Sequence, residues 1–346
     1  MTGEPLRDRA RGALLGLAMG DALGWPAMYH RAIHLGSRRT CLWPQSAAAD
    51  REQILRFPLP FSVDDGPDLR LRGTDDTEMA ALSARALLDL PHSPAAAAVL
   101  VAYDHWLFDV GEEIWSGISE RAAILNRRNG LAPPQTGDHN PAREDDGAVA
   151  RAIPVGILAH RDDDEAARIA GLVAETTNAG DGVLGAVVMA RAIAAAVRTG
   201  SLDTAYTSAV AAIPDDSWTG RSLARAVRLL ERAGTAWAAL PDWIDEIANR
   251  SYSYGTIAAE TVPLALLLTR ATGADLATAI PLAATVAKQA DSMPAMVGAL
   301  CGAVQGAAAV PARWRNRLDR VQGGIVPAMR GESLVDLADR LVERST

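Results

Sequence analysis

From Arg9 to Leu23 the chain sets Ala13, Leu14, Leu17, Ala18 and Ala22 on one helical stripe. Gly12, Gly16 and Gly20 recur every four residues on the neighbouring face. That spacing predicts a buried first helix crossed closely by others. Residues 30–72 lose the period and carry Pro44, Pro58, Pro60, Gly66 and Pro67, which predicts loop with a short helix near Asp50 to Leu55. Helical period resumes over Asp75–Leu90 and Ala95–Asp109. The stretch Asn126 to Asp146, with Asn129-Gly130, Pro133-Pro134, Gly137 and Pro141, predicts a long loop of functional or mobile character.

Nine further helices are predicted after it with short connections: Ala148–His160, Asp162–Thr176, Asp181–Thr199, Asp203–Ala211, Ser217–Ala233, Trp237–Asn249, Thr256–Thr269, Ala274–Lys288 and Pro294–Val310. Asp203 and Ser217 read as start signals, Gly200, Gly234 and Gly273 as stops, and Ser333 as the N-cap of a final helix. Pro154, Pro263 and Pro281 fall inside three of these segments, where a missing N–H and a ring clash predict a kink or break. No stretch keeps a period of two, and no fixed-length repeat stands out. The expected fold class is all-α, with residues 1–346 as a single domain.

Composition supports helices. The 346 residues are 49% hydrophobic, 22% charged and only 5% aromatic. The chain is rich in Ala, the best helix former and a poor strand residue. A formal net charge of −8 argues against a nucleic-acid surface, which needs a basic patch. Cys41 and Cys301 make no disulfide framework, and no Cys/His pair has metal-site spacing. The first ten residues lack the apolar run of a signal peptide, and apolar runs such as Ala95 to Tyr103 are too short for a bilayer. The expectation is a cytoplasmic protein without membrane or nucleic-acid partners.

The candidate chemistry lies in Gly73-Thr74-Asp75-Asp76-Thr77-Glu78, where two adjacent acids and two hydroxyls meet a helix start. Hard divalent cations take oxygen ligands, and this run offers several within one turn. Taken alone, the run reads first as a helix cap, with Thr74 or Asp75 accepting from free amides. A second element shifts that balance: Asp291-Ser292 precedes a helix of small residues, Ala295 to Ala303, and supplies a distant third carboxylate. Asp162-Asp163-Asp164-Glu165 reads instead as a solvated, dipole-matched helix start, and His105 as an ordinary surface or core residue.

Five motifs in order carry a resemblance. They are Gly20-Asp21-Ala22-Leu23-Gly24, Thr74-Asp75-Asp76-Thr77, Gly147 to Pro154, Asp291-Ser292 with its small-residue helix, and Pro311-Ala312-Arg313-Trp314. Together the chain resembles the ADP-ribosylglycohydrolase family, of the dinitrogenase reductase-activating type. The resemblance implies a large orthogonal helical bundle whose cleft holds Mg²⁺ or Mn²⁺ beside a ribosyl group. Carried over by motif, Thr74, Asp75, Asp76 and Asp291 match one ion's ligands, and Asp291 with Ser292 matches part of a second set. Asp75, Asp76 and Asp291 are expected to carry the chemistry, and Asp21, Gly147 and Gln289 to line the substrate site. From its residues alone Asp21 reads equally well as a buried cap, Gly147 as a point of close approach by a ligand or a helix, and Arg151 as the partner of a core acid.

The chain departs from the family pattern at three places. Gln289 stands where an acid is expected, Met28 where a Glu is common, and Thr176-Thr177-Asn178 where a Thr-His pair is common. Loss of two anionic oxygens predicts one bound ion, since Mg²⁺ is poorly held by neutral ligands. The expected function is metal-dependent hydrolysis of a glycosidic bond in an ADP-ribosylated protein or a small ribosyl compound. The alternatives are a biosynthetic enzyme for a small NAD-derived or ribosylated metabolite, and a non-catalytic ADP-ribose binder.

Overall fold

The computed structural model describes residues 3–31, 72–91, 93–109, 114, 117–248, 256–286, 290 and 292–345, and of 25–31 only the helical backbone. In chain order the helices are α1 (Glu4–Arg31), α2 (Asp75–Asp89), α3 (Ala96–Tyr103), α4 (Ile118–Arg128), α5 (Gln135–Asp138) and α6 (Gly147–Leu158). There follow α7 (Asp163–Ala174), α8 (Asp181–Thr199), α9 (Leu202–Val210), α10 (Trp218–Ala233) and α11 (Ala236–Glu246). The last five are α12 (Ala258–Ala271), α13 (Leu276–Thr285), α14 (Met293–Gln305), α15 (Ala312–Leu318) and α16 (Leu334–Arg344). A π-helical turn, Asp104–Asp109, extends α3. Among the described residues the only β contacts are two isolated bridges, Asp145 with Ile257 and Arg320 with Ser333. The fold is all-α. The predicted loop and short helix over 32–71 lie outside the described residues.

The packing of α1 on α14 organises the molecule. Gly12 faces the Gly302 carbonyl, Gly16 that of Gly298 and Gly20 that of Pro294, so the two helices run antiparallel in backbone contact. A Cβ at any of the three would strike main chain. Each interior glycine costs about 0.5–1 kcal/mol of helix stability relative to Ala, and the dense contact that it permits offsets this. On the adjoining face Ala10, Ala13, Leu14, Leu17 and Ala18 are fully buried. One result matters for function: Gly20 meets Pro294, so Asp21 arrives beside the start of α14.

Where a kink or break is expected at three prolines, no break occurs. Pro154, Pro263 and Pro281 lie inside α6, α12 and α13, each of which continues as helix past its proline. Pro154 and Pro263 are buried, and packing holds the helical path against the lost hydrogen bond. Capping mostly agrees with the sequence. Ser217 and Ser333 accept from the amides of Gly220 and Asp336, and Gly200 and Gly234 end their helices in the left-handed region. Ser201, not Asp203, caps α9. Asp162 caps α7, accepting from Asp164 and Glu165. The α8 helix is long and apolar enough to cross a membrane by length and composition, and it is packed in the core. Cys301 is buried on α14, and burial pushes its thiol up to about 12.

The start of α2 is tied down from a distance. The Glu78 carboxylate accepts the N–H groups of Gly324, Ile325 and Val326 at 2.9, 2.8 and 2.6 Å. Three amides on one carboxylate form a strong anchor, because charge-assisted bonds are about twice as strong as neutral ones.

Candidate active site

Asp21 builds the first corner of the site. Its apolar neighbours carry it inside, where it is 1% exposed. Oδ2 accepts the Thr74 N–H at 2.6 Å, the Thr77 N–H at 3.0 Å and the Thr77 hydroxyl at 2.5 Å, and Oδ1 accepts the Thr74 hydroxyl. The amides at the start of α2 are thus satisfied by a side chain from α1. Thr74 holds the N-cap position yet makes no side-chain capping bond. The local cap expected of Thr74 or Asp75 is replaced by one supplied across the fold. Asp21 therefore acts as a structural bracket, with both oxygens committed to Thr74 and Thr77. Burial pushes its carboxyl above the ordinary value even against these donors.

The bracket sets Thr74, Asp75 and Asp76 side by side. The Thr74 hydroxyl lies 3.1 Å from Asp75 Oδ1, and Asp76 is buried behind them. Asp75 is half-buried, and its carboxyl is pushed up to about 6, first by desolvation, then by the charge of Asp21, with Glu120 adding to it.

Glu120 leads to a second corner. It is buried on α4 and receives Arg151 Nη1 at 2.7 Å. Arg151 is fully buried on α6, and its Nη2 donates to the Thr177 hydroxyl. That hydroxyl donates to Asn178 Oδ1 at 2.7 Å, and Asn178 Nδ2 donates to Asp145 Oδ1 at 2.8 Å. The structural pairing expected for Arg151 is what the structure contains. The Thr176–Asn178 segment, a departure from the family pattern, carries this relay. Gly147 is required here: a Cβ would lie 2.6 Å from Glu120 Oε1 and 3.3 Å from both Asp145 Oδ1 and Ser119 Oγ. Acidic side chains, not another backbone, make the close approach.

Asp145 and Asp146 end the predicted loop just before α6. The loop is clipped to the start of α12 by Asp146 N–H to the Thr256 carbonyl at 2.9 Å and by Ala258 N–H to the Glu144 carbonyl at 3.0 Å. Asp145 is pushed up to about 6 by burial and by Glu120, and Asp146 up to about 7 by burial and by Asp145. Asp146 is 1% exposed; Oδ1 accepts the Ser292 hydroxyl at 3.0 Å, and the Thr256 and Thr261 hydroxyls also act on its carboxyl.

Of the residues named from the sequence, Thr74, Asp75 and Asp76 share one helix start, with Asp21 beneath it. Ser292 stands at the start of α14 against Asp146, and Gly147 lies between Glu120 and Asp145. Asp291, Gln289 and the Met28 side chain lie outside the described residues. Among the described residues no three Asp, Glu, His or Cys side chains converge closely enough to hold a metal by themselves. Sequence reasoning missed Glu120, Asp145 and Asp146 as site residues. The signal for the last two was present: Asp145-Asp146-Gly147 repeats the pattern of paired acids at a helix start. His105 is exposed and packs edge-on to Trp106. A cavity of about 170 Å³ lined by Pro91, Pro94, Leu158, Arg161 and Arg344 shares no residue with the acidic corners. The convergence of buried charged groups marks the site.

Residues 2–346 match the model of the ADP-ribosylglycohydrolase family. The chain is 28% identical over 327 residues to the uncharacterized protein YegU of Escherichia coli strain K12, covering 91% of this chain and 92% of YegU. It is 26% identical to an uncharacterized protein of Archaeoglobus fulgidus, over 98% of this chain and 97% of that one. A solved structure, an ADP-ribosylglycohydrolase-related protein complex, shares the fold at a TM-score of 0.61 and 23% identity, over 99% of this chain and 100% of that chain. Matched by the family model over nearly its whole length, the chain belongs to the ADP-ribosylglycohydrolase family.

Proposed function

We propose that this protein hydrolyses a glycosidic bond in an ADP-ribosylated protein or a small ribosyl compound, aided by a bound Mg²⁺ or Mn²⁺. Membership of a hydrolase family supplies the reaction class. The observation that carries the site is the Asp21 bracket, which holds Thr74 and Asp75 together while Gly20 brings the start of α14 to the same end of the molecule.

The donor chemistry fits a hard cation. The candidate ligands are all oxygens, the acids lie buried or half-buried, and the buried Arg151 is already engaged by Glu120 and Thr177. Thr74, Asp75 and Asp76, with Asp291, would hold one ion tightly. When bound, a divalent cation polarises sugar oxygens and orients water. The chain's own residues do the rest. Asp21 fixes the start of α2, so the oxygens of Thr74 and Asp75 need no reorganisation when charge develops. Carboxylates close to the anomeric carbon stabilise the positive charge of an oxocarbenium-like transition state.

The test is turnover of ADP-ribosyl-arginine, ADP-ribosyl-serine and simple ribosides by the purified chain, with Mg²⁺, Mn²⁺ or a chelator present. Release of ADP-ribose or ribose that disappears with chelator supports the proposal. Tight binding of ADP-ribose without hydrolysis of any of these would make the protein a binder instead.

A further inference from the structure

We propose that the substrate of this site is a riboside that carries no phosphate, neutral or positively charged, and not an ADP-ribosyl group. The inference rests on the hydrolase reading above and narrows its substrate. Proteins hold a phosphate chiefly with free amides at a helix start or with a free guanidinium or ammonium. Among the described residues, the donors best placed for this are already committed. At the start of α2 the N–H groups of Thr74 and Thr77 go to Asp21. At the start of α6 the Gly147 N–H goes to Asp145 Oδ1 at 3.1 Å. In the first turn of α14, Pro294 has no N–H to give. The guanidinium between the corners is closed off as well: Arg151 is fully buried, with Nη1 on Glu120 and Nη2 on Thr177. Arg143, on the loop before α6, is turned to Asp138 and Glu144 at 3.3 and 3.8 Å. Arg72, two residues ahead of Thr74, is exposed.

The charge that remains is negative. Asp75 feels the charges of Asp21 and Glu120, Asp145 that of Glu120, and Asp146 that of Asp145. Glu120 Oε1 and Asp145 Oδ1 flank Gly147, at 2.6 and 3.3 Å from where its Cβ would stand. An ion at Thr74–Asp76 is matched by Asp75 and Asp76, so it leaves Asp145 and Asp146 without a counter-charge. A diphosphate brought here would face like charge while the nearest donors are committed elsewhere, an arrangement that rejects such a ligand. A neutral riboside meets no such penalty, and a cationic one is drawn in. For a neutral nucleoside the bond from C1′ to the leaving nitrogen breaks, the hydroxyl of water joins C1′ and its remaining proton goes to that nitrogen. Ribose and the free base are the products.

The test pairs inosine, uridine and the cationic nicotinamide riboside each with its own 5′-monophosphate, beside ADP-ribose and ADP-ribosyl-arginine. Hydrolysis by the full chain with Mg²⁺ or Mn²⁺ gives kcat/KM, and calorimetry gives Kd. Each riboside should be used about tenfold or more better than its 5′-monophosphate and bound more tightly, with the gap closing as salt is raised. Asp145→Asn keeps an oxygen that can accept from Gly147 and Asn178, so the loop is held. It should nonetheless narrow the preference about fivefold or more, chiefly through the KM of the phosphate form. Arg72→Ala should leave the preference unchanged. Equal or better use of the 5′-monophosphates or of ADP-ribosyl-arginine would overturn the proposal. So would a preference untouched by Asp145→Asn, or ADP-ribose binding that is lost in Arg72→Ala. If no ribosyl compound is hydrolysed, the hydrolase reading falls, and the calorimetric order of riboside and 5′-monophosphate still decides this proposal. Failure of every riboside to bind would overturn both.

Discussion

The two acidic corners are built from similar parts and differ in how their acids are held. At the start of α2, Asp21 receives four hydrogen bonds and both its oxygens are spent. Ahead of α6, the Asp146 carboxyl accepts the Ser292 hydroxyl at 3.0 Å, and the Thr256 and Thr261 hydroxyls also act on it, yet its value is still pushed up to about 7 by burial and by Asp145. The first corner is finished by the protein alone and works as a scaffold. The second gathers two adjacent buried acids, Asp145 and Asp146, each raised by burial and by the charge of a neighbouring acid. Arg151 stands between them, and its bond to Glu120 keeps the intervening acid from adding another unpaired charge.

That contrast can be broken in stages. Arg151→Met should have the largest effect, because it leaves Glu120 buried and unpaired; removing one partner of a buried pair costs about 3–5 kcal/mol, measurable by urea melts. Asp21→Ala should come next, with roughly 3 kcal/mol lost because the Thr74 and Thr77 donors are stranded. It should also disorder the start of α2, so amide exchange at 74–78 should accelerate while α8 stays protected. If Asp21→Ala melts like wild type, the scaffold reading of the first corner is wrong.

Restoring acids with Met28→Glu and Gln289→Asp together should raise the number of bound ions from about one towards two, read by Mn²⁺ titration of the full chain. The same acids set a pH dependence. Asp75, Asp145 and Asp146 have folded-state values near 6, 6 and 7, above the usual carboxylate range. Groups raised by folding contribute stability that is complete below their unfolded value of about 4 and is lost as pH rises through the folded values. The metal-free protein should therefore melt higher at pH 5 than at pH 8. With Mg²⁺ present that slope should flatten, since the ion replaces the protons. Thermal scans in chelator and in magnesium give both curves.

The sequence made the scaffold legible and part of the site. Apolar period located most of the longer helices because they bury one broad face, and Asp181–Thr199 coincides with its predicted span, but it missed Ile118–Arg128, Gln135–Asp138 and Ala312–Leu318. The glycine spacing of the first helix anticipated its close crossing, since only backbone contact explains three glycines on one face. The prolines misled because a buried helix keeps its path when neighbours hold it. The cap at α2 could not be read locally, because the capping oxygen comes from Asp21, more than fifty residues earlier. Glu120 was hidden in an ordinary amphipathic helix, and Asp145-Asp146 in a loop without period. Only the fold reveals that Ser292, 146 residues away, meets Asp146.

The central claim is that paired acids at the start of α2 hold a catalytic cation together with Asp291. Its most direct measurement is calorimetric Mn²⁺ binding by wild type, Asp75→Ala and Asp291→Ala, with turnover of a confirmed substrate followed on the same samples. The account predicts that each substitution abolishes the tight ion and the turnover while helical content is kept and stability in metal-free buffer changes by about 1 kcal/mol or less. Wild-type turnover in either variant, with the tight ion gone, would contradict it.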